Sequence, residues 1–132
     1  MIYLDTSVAL AHLLAEDRQP SAALWTRPLV SSRLIEYELW NRVNARGLAR
    51  THGELVRALL ARLAILELST MVLARAAEPF PAPVRTLDAL HLASAEFLRT
   101  QRQVVEIASY DERFLSAARL MAFPISPHCP PS

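Results

Sequence analysis

The chain has 132 residues, enough for one compact domain with a buried core but too few for two ordinary domains. Its composition is 52% hydrophobic and 20% charged, which argues against disorder, and no apolar run approaches the ~20 residues of a membrane-spanning helix. The net charge of +1 gives no general attraction to nucleic acid, so such binding would need a local basic patch.

The first half of the chain predicts short strands alternating with helices. In chain order we expect a strand at residues 2–4, a helix at 8–14, a short helical piece at 22–25, a strand at 29–30, and helices at 34–46 and 55–63. Gly47 is suited to end the helix at 34–46. Thr51 and Glu54 have capping-box spacing, which predicts that they begin the helix at 55–63.

The second half continues the alternation. We expect a strand at 65–68, a helix capped by Ser69 that stops before Pro79, an extended link, a helix at 87–100, a buried strand at 104–108, a helix at 111–121 and an edge strand at 123–125. This alternation predicts an α/β sandwich with a mainly parallel sheet. The expected domain is 1–125, followed by a Pro-rich tail at 126–132 without regular structure.

Two acidic residues follow predicted strands directly. Asp5 ends the first strand, and Asp111 follows the strand at 104–108 after a two-residue turn. Ligands of open parallel sheets bind beyond the carboxyl ends of the strands, so these two carboxylates would converge if their strands are neighbours. The alternative is that each only caps the helix that follows it.

Two further acidic residues lie within predicted helices. Asp88 is in a first helical turn, where a carboxylate is favoured by the helix dipole alone. Glu38 lies one turn after Leu34 and Ile35, beside apolar residues, where an unpaired carboxylate is costly. Glu36 is the alternative to Glu38, and periodicity does not choose between them.

A cluster of carboxylates without histidine or cysteine partners suits a hard cation such as Mg²⁺ or Mn²⁺, and so favours phosphate chemistry. Without metal, mutual repulsion should raise the pKa of at least one of these carboxylates. On that basis, Asp88→Asn or Asp111→Asn is expected to raise the metal-free melting temperature near neutral pH.

Four fragments, in order along nearly the whole chain, carry a family resemblance. They are YLDTS at residues 3–7, YEL at 37–39, LDALHLASA at 87–95 and SYDERF at 109–114. Together they resemble a PIN-domain protein of the VapC toxin type. The resemblance implies a PIN-like three-layer α/β/α sandwich and Mg²⁺- or Mn²⁺-dependent endoribonuclease activity.

The resemblance also assigns residues and partners. It implies that Asp5, Glu38, Asp88 and Asp111 form the catalytic and metal-binding quartet, and that Thr6 and Ser109 supply hydroxyls that orient a carboxylate or a water. Ser109 stands where relatives more usually have Thr, and residues 121–123 lack the Gly that relatives often carry after the last helix. A VapB-type antitoxin, a homodimer and an RNA substrate are implied as partners.

Other residues have less specific interpretations. His91 is interpreted as a packing residue and left out of the site. Any one of Arg42, Arg46, Arg85 and Arg113 is expected to be a surface residue, and clustering alone would indicate phosphate binding. The apolar helices at 34–46 and 55–63 are expected to be mainly core, but a groove between them could bind an antitoxin, with Trp40 as the residue to test.

Other function classes fit less well. An aspartate-nucleophile phosphatase needs a second acid where Ser7 stands and a later lysine, which the chain lacks; with two glycines there is no phosphate-binding loop. A catalytically inactive PIN-like RNA- or protein-binding module is the remaining alternative. The N-terminus does not resemble an export signal and Cys129 has no partner for an internal disulfide, so we expect a cytoplasmic protein with no membrane contact.

Overall fold

Four short parallel strands form the centre of the fold. In the computed structural model, which describes residues 1–130, they are β1 (Ile2–Leu4), β2 (Leu29–Ser32), β3 (Ala64–Leu66) and β4 (Glu106–Ala108). Their order in the sheet is β3-β2-β1-β4. Every pairing is parallel, with Ile2 opposite Leu29 on one side and opposite Glu106 on the other. The carboxyl ends of all four strands therefore lie along one edge.

Helices connect the strands and cover both faces of the sheet. They are α1 (Thr6–Leu13), a 3₁₀ helix (Ala22–Thr26), α2 (Leu34–Ala45), α3 (Ala49–Ala61), α4 (Thr70–Ala76), α5 (Thr86–Thr100) and α6 (Glu112–Leu120). Within the described part of the chain, none of these helices has the length and apolar character needed to cross a bilayer.

The two faces of β1 contribute to two separate hydrophobic clusters. Ile2 and Leu4 pack with residues of α1, α2 and α3, whereas Tyr3 packs with residues of α5 and α6. Successive residues of a strand point to opposite faces, so one strand can serve both clusters. The predicted three-layer α/β/α sandwich with a parallel central sheet is confirmed.

Two predictions are wrong, and three strands have bounds other than predicted, since β2 extends to Ser32, β3 ends at Leu66 and β4 begins at Glu106. Helix α3 begins at Ala49, so Thr51 and Glu54 lie inside its first turns and do not form a capping box. The helix starts early because the backbone N–H of His52 donates to Leu48 at 2.8 Å, directly after the turn at Gly47. The predicted edge strand at 123–125 is reduced to one bridge, in which Ile125 pairs with Ile107.

Helices α2 and α6 end in the same left-handed turn. Gly47 has φ +68° after α2, and Ala122 has φ +64° after α6. In both turns the next residue donates its N–H to a carbonyl five residues earlier, from Leu48 to Val43 and from Phe123 to Ala118. This is the Schellman pattern, which glycine favours because it has no Cβ. The missing glycine thus leaves the turn intact, with alanine in the left-handed position.

The described part of the predicted tail packs on the domain. Ser126 is buried, its N–H donates to Ile107, and the Ser21 N–H donates to the carbonyl of His128 at 2.8 Å. Cys129 lies against the cluster that contains Ile2 and Leu4. Residues 126–130 contain no helix or longer strand, and residues 131–132 of the predicted tail lie outside the described residues.

Candidate active site

Four carboxylates line one cleft at the carboxyl edge of the sheet. Asp5 follows β1 and Asp111 follows β4, and these strands are neighbours, as their predicted convergence requires. Glu38 lies in the second turn of α2, and Asp88 lies in the first turn of α5. The cleft has a volume of about 500 Å³ and also contains Thr6 and Ser7 in its lining.

Asp5 is the most enclosed of the four acids. Its side chain receives two hydrogen bonds at Oδ2, from the hydroxyl of Ser7 at 2.6 Å and from that of Ser109 at 2.7 Å. Both serines are fixed by backbone N–H groups, Tyr110 donating to Ser7 and Asp111 donating to Ser109, each at 2.9 Å. Although Asp5 precedes α1, its side chain does not cap that helix.

Burial raises the pKa of Asp5 above its ordinary value of 3.8, and the charge of Glu38 acts in the same direction. The charge of His91 and the hydrogen bonds from Ser7 and Ser109 oppose this shift without cancelling it. In this environment the ionised form of Asp5 is disfavoured by desolvation. A cation beside Asp5 would relieve that cost.

Glu38 is held by a hydroxyl and an imidazole. The hydroxyl of Thr6 donates to Glu38 Oε1 at 2.9 Å, and Nε2 of His91 lies 2.6 Å from the same oxygen. The alternative acid, Glu36, turns instead toward Arg33 on the surface. Geometry thus places Glu38, and not Glu36, in the cleft. We call Asp5 and Glu38 the inner pair.

Asp88 and Asp111 form an outer pair, bridged by a cation from the chain itself. Arg85 Nε donates to Asp88 Oδ2 at 2.9 Å, and Arg85 Nη2 donates to Asp111 Oδ2. The Arg85 side chain is 56% exposed. Asp111 also accepts backbone N–H groups of Arg113 and Phe114 at Oδ1, so the capping alternative holds for this residue in addition to its place in the cleft.

Two of the four arginines considered for phosphate binding lie at the cleft. Arg42 and Arg85 both line it, whereas Arg46 does not, and Arg113 lines a neighbouring depression that shares Arg85. Two guanidinium groups at one acidic cleft are suited to bind phosphate oxygens. This is the clustering that would distinguish phosphate binding from an isolated surface role.

The donor set fits a hard divalent cation. All four acids offer carboxylate oxygens, the ligand type that Mg²⁺ and Mn²⁺ prefer, and Mg²⁺ commonly keeps several waters and binds one or two carboxylates. Within residues 1–130, no group of three or more His, Cys, Asp or Glu side chains is arranged so that it could hold a metal ion together. The inner pair supplies carboxylates without a partner Arg, and the outer pair is engaged by Arg85.

Three residues at the cleft were missed or undervalued by sequence reasoning. Ser7 contacts Asp5, His91 contacts Glu38, and Arg85 bridges the outer pair. His91 is buried, as its packing interpretation requires, but its ring also bonds a carboxylate. A signal was available for His91, because it lies three residues after Asp88 and so shares a helical face with it, whereas Arg85 is the N-cap residue of that helix.

Comparison with known proteins places the chain in a family. The PIN domain family matches residues 2–120. Ribonuclease VapC47 of Mycobacterium tuberculosis (strain CDC 1551 / Oshkosh) is 35% identical over 130 residues, covering 93% of each chain. Ribonuclease VapC46 of Mycobacterium tuberculosis (strain ATCC 25618 / H37Rv) is 32% identical over 128 residues, covering 94% of this chain and 95% of its own. The chain therefore belongs to the PIN-domain family and, within it, to the VapC type.

A solved structure shares the fold. The chain is similar to one in a structure described as a toxin–antitoxin complex from Klebsiella pneumoniae, with a TM-score of 0.61 and 16% sequence identity. The similarity covers 86% of this chain and 90% of the other. At this level of identity it supports the fold alone.

Proposed function

We propose that this chain is a Mg²⁺- or Mn²⁺-dependent endoribonuclease toxin that hydrolyses RNA phosphodiester bonds. The observation that carries the proposal is the convergence of Asp5, Glu38, Asp88 and Asp111 on one cleft at the carboxyl edge of the sheet. The VapC relatives, which are named ribonucleases, support RNA as the substrate.

In this proposal the four carboxylates hold the metal. Asp5 and Glu38 are the first candidates, because no Arg side chain pairs with them in the described structure. When bound, the divalent cation would supply Lewis-acid stabilisation of the leaving oxygen and an activated water. Ser7 and Ser109 orient Asp5, and Thr6 orients Glu38, through the hydrogen bonds described above.

Arg42 and Arg85 are the candidates for binding RNA phosphates. Both are exposed, and both line the cleft that contains the acids. Phosphate contacts position a nucleic acid without reading its sequence. Substrate held by these two residues would have its backbone beside the carboxylates.

The test is an RNA cleavage assay with purified protein in buffers of controlled metal content. We expect cutting with Mg²⁺ or Mn²⁺, none with EDTA, and a loss of at least about 100-fold for Asp5→Asn, since even outer-shell partners of a metal typically contribute about 10–100-fold. Undiminished cutting by folded Asp5→Asn protein would contradict the assigned role. The alternative, an inactive PIN-like binding module, predicts that neither protein cuts.

The proposal includes a cognate VapB-type antitoxin, a homodimer and a cytoplasmic location. The toxin–antitoxin complex with a similar fold is consistent with such a partner, and the free thiol of Cys129 is consistent with a reducing compartment. Trp40 as the antitoxin anchor stays a prediction. Its ring lies under Arg57 and beside Gly53 of α3, so melting temperature must be measured with antitoxin affinity for Trp40→Ala.

A further inference from the structure

His91 lies where three elements meet, between Tyr3 of β1, Glu38 of α2 and the remainder of α5. Its side chain is 1% exposed. The rings of Tyr3 and Phe114 pack edge-on against the imidazole, with centroids 5.7 and 6.4 Å away. Packing therefore leaves the imidazole ring little freedom to turn.

Both ring nitrogens of His91 have a polar partner. Nε2 lies 2.6 Å from Glu38 Oε1, and Nδ1 lies 2.7 Å from the Tyr3 hydroxyl. In the tautomer with the hydrogen on Nε2, His91 donates to the Glu38 carboxylate and the Tyr3 hydroxyl donates to Nδ1. Tyr3, His91 and Glu38 are therefore linked by a continuous chain of polar contacts.

The contacts with His91 and Thr6 occupy one carboxylate oxygen of Glu38 and leave its other oxygen without a hydrogen bond from the described residues. Oε1 receives both the imidazole N–H and the hydroxyl of Thr6. No hydrogen bond to Oε2 is found among residues 1–130, and the Glu38 side chain, 16% exposed, lines the cleft. Oε2 is thus the oxygen available for a ligand in the cleft.

We propose that His91 is a positioning residue that fixes Glu38 with Oε1 held by the protein and Oε2 available to a divalent cation. The proposal rests on the proposed function, since it assigns the cation to the carboxylate of Glu38. A free glutamate side chain has three rotatable bonds, and holding it in one conformation before the cation arrives removes an entropic cost of binding. Tyr3 supports the arrangement by holding the opposite side of the imidazole.

The experiment measures Mg²⁺ affinity by calorimetry on RNA-free protein, together with kcat and KM for RNA cleavage. His91→Asn, which lacks a donor at the Nε2 position, should weaken Mg²⁺ binding and kcat by about 10–100-fold, the range typical of outer-shell partners, with little change in KM. His91→Gln extends an amide N–H toward Glu38 and should recover most of both losses. His52→Asn is the matched control, because His52 lies in α3 away from the cleft, and it should behave as wild type.

The outcomes separate this inference from the proposed function. Wild-type protein that neither binds Mg²⁺ nor cuts RNA would overturn both. Active wild type, together with folded His91→Asn that binds Mg²⁺ with unchanged affinity, would overturn the positioning role alone. If His91→Asn does not fold, Tyr3→Phe decides: weaker Mg²⁺ binding supports the role, and wild-type affinity overturns it.

Discussion

The inner pair, Asp5 and Glu38, is held by hydroxyl groups and a histidine, whereas the outer pair, Asp88 and Asp111, is held by the guanidinium of Arg85. Asp5 has a raised pKa because burial removes water from its carboxylate, and no Arg pairs with it in the described part of the chain. Arg85 already provides a positive charge for the outer pair. A cleft of four acids therefore contains two electrostatic environments.

The difference between the two pairs shows that a carboxylate's place in the cleft does not by itself determine whether it is free to bind a cation. Two carboxylates without an Arg partner leave a local excess of negative charge, and a cation is favoured there. Two carboxylates bridged by Arg85 must first exchange that guanidinium for a metal. The two pairs should therefore respond differently to mutation, metal and pH.

The largest expected effect tests whether Glu38 of the inner pair, and not any acid of the same helix, is needed for cleavage. Glu38→Gln should reduce RNA cleavage by at least about 10–100-fold, since it removes a charge that we assign to metal binding. Glu36→Gln is a matched control in the same helix, because Glu36 pairs with Arg33 outside the cleft. Single-turnover cleavage rates measure both. Equal losses in the two proteins would remove the distinction between Glu38 and its neighbour.

Arg85 tests the outer pair. Arg85→Gln should strengthen Mg²⁺ binding by roughly 1.4-fold to fivefold, because a partly exposed ion pair contributes about 0.2–1 kcal/mol and would no longer compete with the cation. RNA affinity should fall, since a phosphate-binding candidate is lost. Calorimetry measures the first effect, and RNA binding in Ca²⁺ the second.

Arg33→Gln is the control for Arg85, because Arg33 also pairs with two carboxylates, Glu36 and Glu67, away from the cleft. It should leave both affinities unchanged. Weaker Mg²⁺ binding in Arg85→Gln would show that Arg85 organises the outer pair for the metal and does not compete with it.

Without metal, removing a carboxylate charge should change the melting temperature in opposite directions for the inner and outer pairs, and the change for the inner pair should depend on pH. A raised folded-state pKa means that folded Asp5 holds its proton more tightly than the unfolded chain does, so its contribution becomes less favourable as pH rises from about 3.8 through the folded pKa. Asp5→Asn should therefore raise the melting temperature in EDTA at pH 7, and the gain should disappear at pH 4 and below. Calorimetric melting curves across this range measure it.

The structure changes the expectation for the outer pair. Asp88→Asn and Asp111→Asn were expected to raise the metal-free melting temperature, but both acids are paired with Arg85, and Asp111 also caps α6. Each substitution should now lower that temperature or leave it unchanged. A clear increase for either variant would mean that Arg85 does not compensate the outer pair.

The smallest expected effect comes from a substitution at a residue that belongs to neither pair and that changes only the stability of the domain. Ala122→Gly should stabilise the domain by about 1 kcal/mol, because alanine is strained at φ +64° and glycine is not. Chemical unfolding measures the gain, and RNA cleavage should not change. Altered cleavage would mean that activity depends on the overall stability of the domain. The effects measured for variants of the inner and outer pairs would then have to be corrected for their changes in stability.

The alternation of strands and helices, and the ends of β1 and β4, could be predicted because they depend on local periodicity. Asp5 and Asp111 could be placed together once β1 and β4 were assumed to be neighbours. The resemblance to the family's helix pattern favoured a buried His91, but such a pattern does not report which polar atom a buried ring meets across 53 residues of chain. The start of α3 was misplaced because the hydrogen bonds after Gly47 outweighed a capping-box pattern.

The pairing of β1 with β4 also determines when the cleft can form during synthesis of the chain. β1 is synthesised well before its neighbour β4, and the Ser109 hydroxyl reaches Asp5 across 104 residues. Domains begin to fold from the N-terminus during synthesis, but this contact has to wait for the distant part of the chain. A growing or truncated chain that ends before Ser109 contains at most three of the four acids and lacks one of the two serines that donate to Asp5. A cleft with all four acids and both serines can therefore form only after Asp111 has been synthesised.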